Sequence, residues 1–167
     1  MRVDPKPSKS CEHGFIFLFW QGLGVLGGVV MFLWVDDDID SWYKKLKTDN
    51  WFPVVDFFLP AHIIGATFAG AAAYGVWRYG GFQKQIVRLT VHLFQTVLAI
   101  CWVPIIFKAR DLLVGFVITF LILAMSVVRT ALYFNLNAAL GGLCLPSDIW
   151  YGYLSAVVLQ LWNLNSE

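Results

Sequence analysis

The stretch Gly14–Val35, GFIFLFWQGLGVLGGVVMFLWV, decides the fold class because it holds no charged residue over its whole length. A helix needs about 20 mostly apolar residues to cross the hydrocarbon core of a bilayer, so this stretch is long enough to span one. The residues before it, 1–13, form a polar tail with three basic side chains, as in a signal peptide. However, the apolar run exceeds a signal-peptide core and no A-x-A cleavage site follows it. We therefore interpret it as a retained first transmembrane helix.

The composition of the whole chain also indicates a membrane protein. Apolar residues make up 59% of the 167 positions and charged residues 14%, whereas soluble domains are about half apolar and about a quarter charged. Four further apolar segments follow the first. We predict an all-α integral membrane bundle of five transmembrane helices, filling residues 14–165, at Gly14–Val35, Pro53–Trp77, Ile86–Phe107, Leu112–Phe134 and Pro146–Leu164. Four crossings are the alternative, if the second segment lies in the membrane interface.

The sequence lacks the patterns that are typical of enzymes and metal sites. The three cysteines are far apart, and the three histidines have no carboxylate or cysteine at ligand spacing. No serine lies in a nucleophile elbow and no glycine loop could bind phosphate. We therefore expect no metal, no cofactor and no catalytic residue, and we lean against an enzyme. The net charge of +1 predicts no nucleic-acid partner.

The eight tryptophans are the most informative residues. Indole rings favour the headgroup level of a bilayer, which explains the tryptophans near predicted helix ends, Trp34, Trp77 and Trp162. Trp42 and Trp51 instead flank a polar loop, and Trp102 lies about one turn before its helix stops. Flat aromatic walls are also what a pocket for a flat, apolar ligand uses. These three tryptophans are therefore candidates for a binding site.

The order of the motifs around these tryptophans resembles a known family. Trp42-Tyr43-x-x-Leu46 followed by Trp51-x-Pro53 is similar to the opening WYxxLxKPxWxPP of the translocator protein family, also called tryptophan-rich sensory protein. The stretch 95–110, QTVLAICWVPIIFKAR, is similar to the third-helix signature QxxxNWxWPPIFFxAR of that family. Pro146-x-x-x-Trp150 resembles part of its fifth helix. The resemblance extends from about Trp42 to Asn165.

This resemblance implies a fold, a class of ligand and a location. Members of the family have five helices, are often dimeric, and enclose a cavity that the first loop closes. They bind sterols such as cholesterol, porphyrins and other tetrapyrroles, and synthetic aromatic ligands. In animals they lie in the outer mitochondrial membrane, which is the location that we expect, with endomembranes and bacterial membranes as alternatives. The expected partners are therefore the lipid bilayer, a sterol or tetrapyrrole ligand, and a second copy of the chain.

The resemblance also assigns roles to particular residues. Trp102 and Trp150 match tryptophans that face the ligand, and Val114 falls where the family often has another tryptophan of that pocket. Leu154 lies one turn beyond Trp150 and is expected on the same wall. His62 replaces a common tryptophan. An ionisable residue at this depth is a functional candidate, so His62 could anchor a polar group of the ligand or hydrogen-bond a neighbouring helix.

Three further expectations concern the loop, a buried charge and the helix contacts. Residues 36–50 are predicted to form a lid that carries Trp42, with Trp51 just behind it. Arg129 either extends to the headgroups or pairs with Asp148 or with an anionic group of the ligand. Small residues at four-residue spacing allow close helix approach, either within one bundle, which we favour, or between two copies. They are Gly24, Gly28, Gly65 and Ala69.

The sequence thus predicts a translocator-protein-like membrane protein that binds, and transports or senses, flat hydrophobic ligands in an aromatic hollow. An interior filled with side chains would argue against this hypothesis. Two alternatives stay open. One is a membrane enzyme that acts on the bound sterol or tetrapyrrole, with His62 as its acid or base. The other is a helical scaffold for partner proteins.

Overall fold

Five long helices and one short helix make up most of the computed structural model, which describes residues 9–53 and 55–166. Two 3₁₀ turns, Tyr43–Lys45 and Val55–Phe57, lie between the first long helix and the second. Helix α3 packs against α1, α4 and α6, and α5 packs against α4 and α6. In chain order the helices are α1 (Lys9–Trp34), α2 (Asp36–Ser41), α3 (Phe58–Trp77), α4 (Gly81–Phe107), α5 (Leu112–Phe134) and α6 (Ala138–Asn165).

Four of the described helices are long and apolar enough to cross a membrane: α1 from Glu12 onward, α3, α4 and α5. Helix α6 has 28 residues but does not belong to this group of four. Its sequence includes Ser147, Asp148, Ser155 and Gln160, which lower its hydropathy. The prediction of an all-α, multi-pass membrane protein is therefore confirmed, whereas a fifth crossing does not follow from length and hydropathy.

The distribution of side chains on the outside of the bundle differs from that in a soluble protein, although the core is mainly apolar. Large apolar side chains such as Phe15, Leu18 and Ile149 are exposed on the outside of the bundle. Polar side chains are buried inside it, among them His62, His92, Gln95, Arg129 and Ser147. Such an arrangement is stable only where the outer medium is hydrocarbon, because exposed apolar area of this extent would be costly in water.

Four of the five predicted helix starts differ from the observed ones, at α1 (Lys9 rather than Gly14), α3, α4 and α6. Helix α4 begins at Gly81 rather than at Ile86, directly after a turn in which Gly80 (φ 115°) and Gly81 (φ 66°) adopt left-handed backbone angles. Glycine reaches these angles without steric cost, so the turn is short. The polar first residues of α4 hid its start, and a non-helical Gln85 (φ −120°, ψ 27°) kinks the helix there.

Helix α6 begins at Ala138 rather than at Pro146. The Asn137 side chain accepts a hydrogen bond from the Ala139 N–H at 2.8 Å and caps the helix, so only three residues separate α5 from α6. Pro146 lies within the helix, where it removes one backbone donor. At the other end of the first loop, α3 begins at Phe58 rather than at Pro53, after the 3₁₀ turn.

Arg129 is the most buried charged side chain of the described part of the chain, with 1% of its surface exposed. Its guanidinium donates to Gln95 Oε1 on α4 at 2.7 Å, and to Ser147 Oγ at 2.7 Å and Asp148 Oδ1 at 3.0 Å on α6. The expectation that it extends to the headgroups is wrong, and the expected pair with Asp148 is present. Arg129 therefore links three helices through one group.

The first loop is fastened to the bundle at both of its ends. Asp38 forms ion pairs with Lys108 and Arg110 in the α4–α5 turn. Farther along, Lys47 and Asn165 exchange two hydrogen bonds, Lys47 N–H to Asn165 Oδ1 (2.9 Å) and Asn165 Nδ2–H to the Lys47 carbonyl (3.1 Å). The loop therefore covers the end of the bundle at which α4 and α6 stop.

The buried pair gives a prediction about stability. Arg129→Met should lower the free energy of unfolding by about 3 kcal/mol, the lower end of the range for a buried pair, because it leaves the Asp148 carboxylate, whose side chain is 13% exposed, without its partner. Unfolding by SDS in mixed micelles measures this change. Adding Asp148→Asn should restore part of the loss by removing the uncompensated charge. The exposed Arg78→Met is the matched control, and equal stability of the Arg129 and Arg78 variants would contradict the assigned role.

The loop attachment gives a prediction about pH. The Lys108 ammonium, which hydrogen-bonds Asp38, holds the pKa of that carboxyl below its ordinary value of 3.8, and Arg110 acts in the same direction. A lowered pKa in the folded state stabilises the attachment above pH 3.8, and this contribution is lost as the pH falls through the folded-state pKa. At neutral pH, Asp38→Asn should make trypsin cleavage in the loop severalfold faster.

The cleavage rate should also report the pH range of this attachment. The wild-type loop should remain attached at pH 5, where the Asp38 carboxyl is still ionised. Asp37→Asn, which changes an exposed neighbouring carboxylate, is the control. Equal cleavage rates for the Asp38 and Asp37 variants would show that these ion pairs do not hold the loop.

Candidate functional site

Four of the predicted site residues line one small chamber below the first loop. His62 comes from α3, Trp102 from α4, and Trp150 and Leu154 from α6. The remaining lining residues are mainly apolar and aromatic: Phe32, Phe58, Ala99, Ile122 and Tyr151. Phe58 and Trp150 meet edge to face with ring centroids 5.9 Å apart. The sequence therefore identified residues from three helices that do come together in space.

Helical spacing and small residues explain this convergence. Trp150 and Leu154 are four positions apart, so they lie on the same face of α6. Gly28 on α1 lies opposite the His62 ring, and a Cβ at position 28 would collide with the imidazole. Gly65 on α3 lies against Ser147, where a Cβ would be 3.4 Å from its backbone. Both glycines let the helices around the chamber approach closely.

The other two predicted packing residues also contact helices of the same chain or lie buried. A Cβ at Gly24 would be 3.2 Å from Ala66 on α3, and Ala69 is buried in the same helix. Of the two interpretations of the small-residue motifs, close packing within the bundle accounts for all four positions. A contact between two copies of the chain would need another surface.

The chamber is closed in this structure. Its volume is only about 10 Å³, because the rings of Phe32, Phe58 and Tyr151 and the side chain of Ile122 fill the space between the tryptophans. The expected open hollow is therefore not found at this place, which argues against the sequence-based hypothesis of a preformed pocket. Neither a sterol nor a tetrapyrrole fits without movement of side chains or helices. Any binding at this place must include opening.

The remaining three predicted site residues lie outside the chamber. Val114 is 43% exposed in the first turn of α5, so the resemblance-based assignment does not bring it to the chamber wall. Trp42 is partly buried in the loop, with the Arg110 guanidinium 6.0 Å from its ring centroid. Trp51 is 46% exposed and packs on Tyr153, whose hydroxyl donates to the Trp51 carbonyl at 2.9 Å. Trp42 lies in the first loop and Trp51 directly follows it, and their role as a lid stays a prediction.

Sequence reasoning missed Phe32 as a site residue. It lies near the end of α1, with its ring centroid 6.3 Å from that of His62 and 6.4 Å from that of Phe107. Phe32 also lines a groove of about 300 Å³ on the outside of the bundle, between α1 and α3. It therefore separates the chamber from that groove. Nothing in the local sequence distinguishes it from the other apolar residues of α1.

The chamber contains two buried polar atoms without a hydrogen-bond partner. His62 is buried, and its Nε2 has no hydrogen-bond partner. Trp102 Nε1 is also buried without a hydrogen-bond partner. A buried polar atom without a partner costs free energy, so both atoms could be satisfied by a polar group of a ligand. Within residues 9–53 and 55–166, no cluster of three His, Cys, Asp or Glu side chains is placed to hold a metal ion.

Comparison with known proteins agrees with this architecture. The chain is similar to a translocator protein homolog of Arabidopsis thaliana, with 26% identity over 125 residues, which cover 73% of this chain and 62% of that protein. It is also 26% identical to the translocator protein of Ovis aries over 129 residues, 74% of this chain and 75% of the sheep protein. The chain thus spans somewhat less than two thirds of the plant relative. Residues 16–163 match the TspO/MBR family, and the chain therefore belongs to that family of multi-pass membrane proteins.

Proposed function

We propose that this protein binds flat hydrophobic ligands, sterols or tetrapyrroles, in an opened form of the chamber below the first loop. The observation that carries the proposal is the convergence of His62, Trp102, Trp150 and Leu154 from three helices on one place. Two of these side chains are large aromatic rings, and one is an imidazole with an unpartnered nitrogen. The family membership supports a translocator-protein-like role.

A ligand could reach the chamber from the lipid side. The groove between α1 and α3 is lined by Phe32, Leu33, Leu59 and Pro60, with Asp36 and Asp56 at its polar end. Among the residues that the structure describes, Phe32 alone lines both this groove and the chamber. Rotation of that ring, together with separation of α1 from α3, would join the two spaces. A hydrophobic ligand would then enter without crossing water.

The first loop would control the opening from the other side. Its polar attachments are ion pairs and hydrogen bonds near the bundle end, most of them at exposed side chains, and such contacts contribute little to stability. Ile39 and Tyr43 of the loop are also buried, and the Tyr43 ring packs on Phe58 and Phe107. The main cost of opening the loop is therefore the withdrawal of these two side chains from the apolar core. Trp42 and Trp51 would then move with the loop and act as a lid over the bound ligand.

We further propose that α6 crosses the membrane as a fifth span. A helix of 28 residues is about 42 Å long at 1.5 Å per residue, more than the hydrocarbon core of about 30 Å. Its polar side chains have partners: Ser147 and Asp148 bind Arg129, and Gln160 Nε2 donates to Asp49 Oδ2 at 3.0 Å. These contacts make the low hydropathy of α6 compatible with a position inside the membrane.

The number of spans determines where the chain ends lie. Five crossings place the two termini on opposite sides of the membrane, and four place them on the same side. Epitope tags at each terminus, tested with antibody before and after permeabilisation of one side, should therefore become accessible separately. Simultaneous accessibility of both tags would exclude the five-span arrangement.

A ligand-binding measurement tests the proposed function directly. The purified protein in nanodiscs should bind protoporphyrin IX or cholesterol saturably. Trp150→Ala should weaken binding by roughly two- to tenfold, because the ligand loses an aromatic contact of about 0.5–1.5 kcal/mol beyond area burial. Equilibrium binding of radiolabelled ligand, corrected for empty nanodiscs, measures the change.

The matched control is Trp77→Ala, at the opposite end of α3. Trp77 contacts His13 and Tyr74 and lines neither the chamber nor the groove. It should leave the dissociation constant within about twofold of the wild type, since no ligand contact is lost. Absence of saturable binding in the wild type, or an equal loss in both variants, would refute binding in this chamber.

A further inference from the structure

A second enclosed cavity lies deeper in the bundle, next to the aromatic chamber. It has a volume of about 20 Å³, and His62, Ala99 and Tyr151 line both spaces. Unlike the chamber, this cavity is bordered by polar side chains from three helices. They are Trp20 on α1, His92, Gln95 and Thr96 on α4, and Arg129 on α5.

Three of these lining residues carry a buried polar atom without a hydrogen-bond partner: Trp20 Nε1, His92 Nδ1 and Arg129 Nε. The side chains are almost completely buried, with exposed fractions of 2%, 3% and 1%. Trp20 and His92 are neighbours, with ring centroids 5.5 Å apart. His62 Nε2, on the side shared with the chamber, is a fourth unpartnered atom. Unpartnered polar atoms are rare in folded proteins, and four on the border of one cavity call for an occupant.

The chemistry of these atoms defines the occupant. Trp20 Nε1 and Arg129 Nε can only donate, so the occupant must contain an acceptor. His92 Nδ1 donates or accepts according to the ring tautomer, so an occupant with a hydroxyl group satisfies it in either case. A cavity needs roughly 10–15 Å³ to hold one water molecule, so the space suits a single oxygen atom.

The charges around the cavity favour a neutral oxygen over an anion. The Arg129 guanidinium already forms an ion pair with Asp148 at 3.0 Å, which leaves no net positive charge on the pair. A carboxylate placed beside them would be a second negative charge in a medium of low dielectric constant. Without a second cation to compensate it, that charge would be costly to desolvate.

We infer that this cavity is a polar subsite that takes the single hydroxyl or carbonyl oxygen of an otherwise apolar, flat ligand held in the aromatic chamber. In the free protein a water molecule occupies the subsite and is displaced when the ligand binds. The inference rests on the proposed function and narrows it, since it selects neutral molecules with one oxygen over carboxylate-bearing ones. The ligand oxygen enters the subsite past His62, which lines both the chamber and the cavity.

Three fluorescent probes with the same flat ring system test the subsite: pyrene, 1-pyrenemethanol and 1-pyrenecarboxylate. Each is titrated into nanodiscs that contain the full-length protein, and its partition into empty nanodiscs is subtracted. We expect 1-pyrenemethanol to bind about three- to tenfold more tightly than pyrene, the value of one net hydrogen bond, and the carboxylate to bind no better than pyrene.

The variant His92→Phe removes the ring nitrogens of the subsite and keeps an aromatic ring in place. It should abolish the preference for the alcohol while pyrene binding stays within about twofold, since the apolar contacts are unchanged. The exposed His13→Phe is the matched control and should retain the preference. Trp20→Phe, which removes only an indole N–H donor, is the second variant if His92→Phe does not fold, and it should reduce the preference in the same way.

The outcomes separate this inference from the proposed function. If none of the three probes binds saturably, both are overturned. If pyrene and 1-pyrenemethanol bind equally to the wild type, the aromatic chamber stands and the subsite is refuted. Tighter binding of the carboxylate would also refute it, in favour of an anion site at Arg129. Equal preference for the alcohol in the His92→Phe, Trp20→Phe and wild-type proteins would place the selectivity elsewhere.

Discussion

The buried guanidinium of Arg129 is the group on which the rest of the structure depends. Hydrocarbon offers no hydrogen bonds, so a charged side chain in the middle of a bundle must find all its partners within the protein. The two terminal nitrogens of Arg129 do so on two other helices, with Gln95 on α4 and with Ser147 and Asp148 on α6, whereas its Nε has no partner. This requirement fixes the rotation of α4, α5 and α6 about their axes more strictly than apolar packing would.

The fixed rotation produces a polar layer across the bundle. Along α3 to α6, buried polar residues lie between two apolar clusters, one toward the first loop and one toward the opposite end. On α5, for example, Arg129 comes between Ile122 of one cluster and Tyr133 of the other. The aromatic chamber is therefore not an isolated pocket. It ends at a layer of hydrogen-bonding groups, which gives a site of mixed character.

The sequence predicted those parts of the structure that depend on hydropathy and on family motifs. Helix α5 was predicted at its observed bounds, Leu112–Phe134, because a charged turn precedes a long apolar run in which Arg129 is the one charged residue. The start of α6 was missed because Asn137 and Pro146 are loop signals in water, whereas here one caps the helix and the other lies inside it. A hydropathy scale scores each residue by its free energy of transfer from water into lipid. It therefore misjudges polar residues whose hydrogen-bonding groups are paired inside the protein.

The candidate site was likewise predicted where it depends on sequence motifs and missed where it depends on packing between helices. Motif positions identified His62, Trp102, Trp150 and Leu154, since helical spacing brings them to one place. The path of α5 places Val114 on its exposed side, and no motif could show that. Phe32 and the polar cavity depend on contacts between helices that are distant in sequence. The partners of Arg129 were predicted only in part, because Gln95 and Ser147 become neighbours through tertiary packing alone.

The closed chamber changes how ligand affinity should be understood in this protein. When the site is already filled by Phe32, Phe58 and Ile122, a ligand replaces contacts between side chains rather than an empty space. Its net binding free energy is then the gain from burying the ligand minus the cost of separating those side chains and detaching the loop. Lipid is as apolar as the chamber, so a ligand that moves from lipid into the chamber gains little free energy from apolar burial. Shape and a specific hydrogen bond must therefore supply most of the selectivity, and the unpartnered atoms of the polar layer are where such a bond can form.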